Sequence, residues 1–513
     1  QMVKGRFGVP VDNEANRLVI RRFLHDYMTK RKNRPSVICD TIPVVLEMSF
    51  LPDFKEVELR KIADHPLIRE RKAFQHTGWW SWFYTRAATL WAPAPWGGLH
   101  VIQGVTRRST LRHPSLTVTR TCKTQDPRSL YAVLGVGVDR GLGIFNPDIN
   151  TLECALLERM YYTKVDGQFE LAPPVDRDTF NQRMHHFRRL LIKYVKFSSP
   201  ALPHEIVEMY KGRKKTIYEK AMQDLHVYGV TRKDSLSLAF VKVEKGNPSK
   251  APRCIQPRRP VYNLALGRYI KPIEHPMYKA IQRAFAVDSP VVAKGYNLRQ
   301  IAEIIQHKWN SFRDPVALGI DAHRFDAHCS PEAIQWEHSI YNAMFQSNEL
   351  RKLLDWQLNN IGAGYCYDGK LRYKVRGKRF SGDMNTGLGN VIIMTGLVHS
   401  YATEYHIEID LINNGDDCVV FMEKQDINRF TAQFVPWSLQ MGYRMAVEPP
   451  VYNLAAIEFC QMHPIRISDG IIMVRNINTS TSKDALSTLD LRNPTLRKKW
   501  FAAVGECGTF VTG

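Results

Sequence analysis

The stretch IEIDLINNGDDCVVFM, residues 407–422, decides the fold class. Two apolar runs flank Asn413, Asn414, Gly415, Asp416 and Asp417, the composition of a tight hairpin whose tip needs positive backbone angles. Such a turn holds two carboxylates out toward solvent. A Gly-Asp turn is also an ordinary way to close a hairpin, so the chemistry rests on what surrounds it.

Upstream, PVALGIDAHRFDAH (315–328) reads as a strand of small and β-branched residues that runs out at Asp321, with Asp326 beyond it. A carboxylate at a strand end is well placed to face a cleft. If this strand pairs beside the hairpin, Asp321 meets Asp416 and Asp417; without a cation between them the three acids repel. Hard oxygen ligands suit Mg²⁺, with Mn²⁺ as a substitute, because such ions take one or two protein carboxylates and complete their shells with water and substrate phosphates. Two ions about 3.5–4 Å apart activate a hydroxyl and stabilise a departing pyrophosphate.

Between the acids lies FSGDMNTGLGNVIIMTGLVHS (380–400), a Ser381–Gly382 loop leading through Asn385, Thr386 and Asn390 into an apolar helix. Asp326, Thr386 and Asn390 are candidates to grip a ribose hydroxyl, the group that separates RNA from DNA chemistry. An N-capped helix after a Ser/Gly turn is the plain structural alternative. Further upstream, FVKVEKGNPSKAPRCIQPRR (240–259) sets Lys242, Lys245, Lys250, Arg253, Arg258 and Arg259 against Glu244 alone. Pro248, Pro252 and Pro257 rule out a continuous helix, and the result is a semi-rigid basic arm suited to a triphosphate or simply a solvated loop.

The rest of the chain frames these pieces. The alternation of short strands with helices such as PEAIQWEHSIYNAMF (331–345) gives a mixed α/β (α+β) class. Helices are also expected in FNQRMHHFRRLLIKYV (180–195) and EKAMQDLHVY (219–228), while TRRSTLRHPSLTVTRTCKTQDPR (106–128) reads as a polar connection between domains. Over 513 residues, 71 Lys and Arg against 50 Asp and Glu leave a net charge of +21, which favours a polyanionic partner, nucleic acid or an anionic membrane. The aromatic segment His76–Gly98 is either a membrane or partner contact or an ordinary core. Nine single cysteines without a CxxC pair fit a reduced, intracellular compartment. No signal peptide, P-loop or zinc-type cluster is visible.

In order, IQPRRPVYNLALGRYIKPIEH, KGYN, GIDAHRFDAHCS, EHSIY, GKRFSGDMNTGLGN, NNGDDCVV and IEFCQ, spanning residues 253–461, resemble the viral RNA-dependent RNA polymerases of tombusvirus and carmovirus type. The resemblance implies a right-hand polymerase fold with fingers, palm and a short or truncated thumb, plus an N-terminal accessory region. It divides the chain into residues 1–125 (accessory), 126–310 (mainly fingers), 311–460 (palm with inserted fingers segments) and 461–513 (start of thumb). It makes Asp321 and Asp416 metal ligands with Asp417 accessory, Asp326 and Asn390 sugar-reading, and Ser381, Gly382 and Thr386 part of the loop positioning template and nucleotide. Lys242, Lys245, Arg253 and Arg258 are implied to line nucleotide entry. RNA contacts are assigned to Lys250, Arg259, Phe459, Cys460 and Gln461, the last three in a turn gripping the nascent strand. RNA template and NTPs, a viral accessory replication protein, peripheral membrane association and cytoplasmic membrane-bound replication complexes follow from the same likeness. One departure stands out: Ala446 occupies a place where such enzymes often carry a Lys that protonates pyrophosphate, and Arg444 is the nearest basic residue. Two rival readings are a reverse transcriptase, and an RNA-binding or membrane-recruiting replicase subunit without turnover.

Overall fold

A computed structural model describes residues 99–133, 141–195 and 198–512 of the chain. The aromatic segment His76–Gly98 and most of the accessory region read over 1–125 lie outside the described residues. Contacts divide the chain into two compact units.

In the larger unit, spacing of apolar residues at three and four builds helices α1 (Arg177–Val195), α2 (Pro260–Ala284), α3 (Pro331–Phe345), α4 (Thr386–Glu404) and α5 (Ile427–Gln440). Alternation builds strands β1 (Pro315–Ala322), β2 (Asp410–Asn414), β3 (Asp417–Glu423) and β4 (Met445–Val447). The strands form an antiparallel sheet of order β2-β3-β1-β4. Because successive side chains alternate between faces, Val316, Leu318, Ile320 and Ala322 point into the main core with all five helices. Helix α4 is buried almost all round, as its unbroken apolar sequence requires. The other face carries Ala317, Val419 and Phe421 into a second core, against the helix Leu298–Asn310 and the hairpin Met462–Ile467/Gly470–Arg475.

A second sheet of the same unit has the order Leu116–Arg120, Gly369–Arg376, Asn359–Cys366, Ser237–Val241 and Cys254–Ile255. Here the connection expected over 106–128 is corrected. Leu116–Arg120 pairs with Gly369–Arg376 as an edge strand, its Thr residues exposed and Leu116 and Val118 packed against the sheet's core. The helix Ile149–Leu156 continues into a wider π-turn, Leu157–Tyr161, and lays Leu152, Leu156 and Met160 on this sheet's inner face.

The smaller unit's described part pairs Leu99–Gln103 with Ser129–Val133, which takes Leu486–Ser487 on its other side. Its core gathers Tyr131, Val133 and Leu491 with Trp500 and Phe501. Among the described residues no helix is long and apolar enough to cross a membrane.

Candidate active site

The sheet register brings the sequence-distant acids together. Cys418 pairs with Ile320, so one step along the same antiparallel ladder sets Asp417 opposite Asp321; on the other side Asp321 faces Ala446. Asp321 and Asp417 continue the face that carries Ala317 and Val419, but beyond the end of its apolar core, where both are exposed. The hairpin closes through Gly415 and Asp416, with Gly415 at φ +97°, which only glycine adopts without strain.

Both asparagines before the turn hold it in place. The buried Asn413 side chain accepts from the Gly415 amide (3.0 Å) and donates to the carbonyls of Gly415 (2.9 Å) and Asp417 (3.1 Å). Asn414 accepts from Lys294 Nζ (2.9 Å) and donates to Cys460 Sγ (3.3 Å). Lys294 had no assigned role in the sequence, although it opens the KGYN motif. Cys460 and Gln461 form the tip of a two-residue turn, both at positive φ (53° and 62°), with Phe459 and Met462 exchanging backbone hydrogen bonds. The turn therefore braces the acidic hairpin. Phe459, expected to contact RNA, is instead 2% exposed in the second core; its side chain is a packing anchor.

The acids share one electrostatic field. Although the Asp417 side chain reaches solvent, partial desolvation of its carboxyl by the groups packed around it raises it above its ordinary range, Asp416, Asp321 and Glu458 push it further, and a hydrogen bond with Cys460 opposes the rise. Glu448 is raised by burial and by Glu458, Asp321 and Asp417, and its carboxylate lies over Gly319, two residues before Asp321 on the same face. Among the described residues no group of three or more His, Cys, Asp or Glu side chains is placed to hold a metal ion by itself. An all-oxygen cluster with excess negative charge still fits a divalent ion that takes one or two protein carboxylates. A carboxyl whose pKa is raised by folding binds its proton more tightly in the folded chain, so its contribution to stability falls as pH rises from the ordinary carboxylate range through the raised value. The cost therefore grows with pH and weighs more at neutral than at acid pH. We therefore expect Asp417→Asn to raise the melting temperature of protein kept in chelator, and to shrink the further rise caused by added Mg²⁺. Equal Mg²⁺ responses in the two proteins would contradict this.

Asp416 and Asp326 line one cleft together with Ser381, Arg379, Arg159, Arg324, Lys242 and Arg253. Asp326 Oδ2 accepts from Ser381 Oγ (2.6 Å) and Oδ1 from Asn390 Nδ2 (3.1 Å). Burial raises the Asp326 carboxyl, Asp416 adds to the rise, and the two hydrogen bonds and Arg379 oppose it. Above the acids the cations are crowded: burial lowers the Arg159 guanidinium to about 10, with Arg324 and Arg253 as the next causes. Like charges held this close favour a polyanion between them. Arg159 sits in the π-turn and Arg324 in a left-handed position (φ 52°), a strained conformation for a side chain of that size. Arg159 carried no sequence signal, and Arg324 lay inside the GIDAHRFDAHCS motif without a role assigned to it.

The expected basic arm divides. Lys242 and Arg253 line the cleft, each beside Glu244 (2.9 and 3.6 Å). Lys245 and Lys250 belong to the same loop but not to the cleft lining; the loop is clamped by Arg107, which donates to the carbonyls of Pro248 (3.2 Å) and Ser249 (2.5 Å). Arg259 pairs with Asp234 (3.6 Å) at the surface. Arg258 is a correction to the expected entry path: it is buried and spends its donors on Asp383 (2.5 and 3.1 Å), the Ser235 carbonyl (2.7 Å) and Asn360 (2.5 Å). Thr386 donates its hydroxyl proton to the Phe380 carbonyl (2.8 Å), leaving only lone pairs for a ligand. Gly382 (φ 142°) lets the loop approach Pro257 so closely that a Cβ would lie 2.9 Å from its Cα. Arg444 turns away from the acids to Glu170 (2.7 Å).

Against known sequences, residues 116–513 match the family described as "Viral RNA dependent RNA polymerase", and residues 1–54 match "Tombusvirus p33". The chain is 36% identical to the RNA-directed RNA polymerase of Turnip crinkle virus, over 99% of this chain and 68% of that protein. It is 35% identical to that of Tobacco necrosis virus (strain D), over 99% of this chain and 69% of the relative. The corresponding values for Maize chlorotic mottle virus are 34%, 99% and 55%.

Proposed function

The chain belongs to the viral RNA-dependent RNA polymerase family, and from that premise we propose that it copies an RNA template by two-metal nucleotidyl transfer from NTPs, replicating a positive-strand RNA genome. The observation that carries the mechanism is the β3-β1 register, which sets Asp417 across from Asp321 with Asp416 in the adjoining cleft. In this reading the β2-β3-β1-β4 sheet is the palm and the five-stranded sheet belongs to the fingers.

Asp321 and Asp416 hold Mg²⁺, with Asp417 accessory and Mn²⁺ able to substitute. When bound, the ions activate the primer 3′-hydroxyl and stabilise the leaving pyrophosphate. Arg159, Arg253, Lys242 and Arg324 orient the triphosphate, guanidinium forks gripping phosphate oxygens more specifically than a single ammonium. Asp326, accepting from Ser381 and Asn390, offers its remaining lone pairs to a ribose 2′-hydroxyl. The similarity of residues 1–54 to Tombusvirus p33 supports a relationship to viral replication proteins; from the family likeness we further propose that the chain works beside an accessory replication protein at membrane-bound complexes in the host cytoplasm.

The direct test is synthesis on a defined RNA template with NTPs, with and without Mg²⁺. Product of template length that needs both is expected; magnesium-independent RNA binding without incorporation would favour a non-catalytic subunit. For the cleft cations, Arg159→Met should raise the NTP KM about tenfold with kcat little changed, the pattern of lost uniform binding. An unchanged KM would remove Arg159 from the triphosphate path.

A further inference from the structure

The EHSIY motif of α3 has no place in the chemistry above, yet its Glu337 is completely buried. Glu337 Oε1 accepts from Tyr341 Oη (2.7 Å) and Asn385 Nδ2 (2.9 Å), and Oε2 pairs with Arg379 Nη2. Arg379, 3% exposed, then reaches the sugar-reading pair from two sides: its Nε donates to Asn390 Oδ1 (2.9 Å) and its backbone amide to the Asp326 carbonyl (2.9 Å).

This chain of contacts settles which way the Asn390 amide points. A guanidinium has donors only, so it accepts beside it the amide oxygen and rejects the NH₂ end. Asn390 must then turn its NH₂ toward Asp326, where it donates to the carboxylate at 3.1 Å. The flipped amide would set donor against donor at Arg379 and oxygen against oxygen at Asp326. The packing leaves little slack, since a Cβ on Gly389 would run into both Glu337 and Arg379.

We infer that the buried Glu337–Arg379 pair is a positioning device for sugar selectivity: it fixes the Asn390 amide and thereby aims the Asp326 carboxylate at the nucleotide 2′-hydroxyl. Glu337 is sealed from the cleft, and Arg379, at the cleft's border, commits its Nε to Asn390 and its Nη2 to Glu337. The inference rests on the proposed sugar-reading role of Asp326 and Asn390. With Ser381 and Asn390 both donating to it, the Asp326 carboxyl presents acceptor lone pairs, so a ribose hydroxyl gains a hydrogen bond there that a deoxyribose cannot replace. If the aim is lost, incorporation of the ribonucleotide suffers while that of the deoxynucleotide, which never used the contact, does not.

The test is the ratio of kcat/KM for a ribonucleotide to that for its 2′-deoxy counterpart, in single-nucleotide addition to a primed RNA template with Mg²⁺. The ratio is taken on one preparation, so any unfolded fraction cancels. Arg379→Lys keeps the charge but not the fork, and Glu337→Gln keeps the shape but not the charge. Each, like Asp326→Asn, is expected to lower the ratio tenfold or more through the ribonucleotide value. If Asp326→Asn lowers the ratio while Arg379→Lys and Glu337→Gln leave it within twofold of the parent, the positioning inference is overturned and the sugar-reading assignment survives. If Asp326→Asn leaves the ratio unchanged, that assignment fails and the inference fails with it.

Discussion

Asp416→Ala will lower templated NTP incorporation by about 10³-fold or more, the equivalent of about 4 kcal/mol of transition-state stabilisation. Asp416 stands at the exposed tip of the hairpin, held there by Gly415 and by the Asn413 and Asn414 side chains rather than by its own packing. Its removal therefore leaves the turn built while taking away a charge that the divalent ions need. Stability should change by no more than about 0.5 kcal/mol, the range for an exposed side chain without structural duties. The assay is primer extension on an RNA template, read beside thermal melting of the same protein. Retained synthesis would remove Asp416 from the chemistry; lost synthesis with lost folding would make it structural.

Asp383→Ala will destabilise the larger unit by about 3–5 kcal/mol, because it strands the Arg258 guanidinium in the interior. The ion pair is forked (2.5 and 3.1 Å), with side chains 1% and 4% exposed. It ties the loop after Ser381 to the end of the basic arm, where Gln256 donates its amide to the Ser381 carbonyl (3.1 Å). Asp383→Asn, which keeps one acceptor oxygen, should cost less. Denaturant unfolding of the two variants measures the difference; a loss below about 1 kcal/mol for the alanine variant would show that the pair is not sealed from water.

These two aspartates mark what could and could not be read from sequence. The hairpin and the Asp321 strand were legible because their signals are local: alternation, a strand end and a Gly-Asp turn. Arg253 and Arg258 look alike in the basic arm, and what separates them is Asp383, 125 positions from Arg258 in the chain. Phe459 misled for the same reason, since burial in the second core is decided by Ile471, Met473 and the helix Leu298–Asn310 rather than by its neighbours in the motif. In LTVTR the alternation of an edge strand was outweighed by the polar composition around it. Arg159 and Arg324 are single basic residues whose meaning comes from convergence in the cleft. Glu337 and Lys294 lay inside quoted motifs, but a buried ion pair and a brace beneath a turn have no signature of their own.

The most direct trial of the metal site uses Fe²⁺ in place of Mg²⁺, with peroxide and ascorbate, so that radicals formed at the bound ion cut the nearest backbone. Cleavage is expected at two places far apart in sequence, around Asp321 and around Gly415–Asp417, both suppressed by excess Mg²⁺ and both lost in Asp416→Ala. Cutting at one of these segments without the other, or at neither, would contradict a shared divalent site between them.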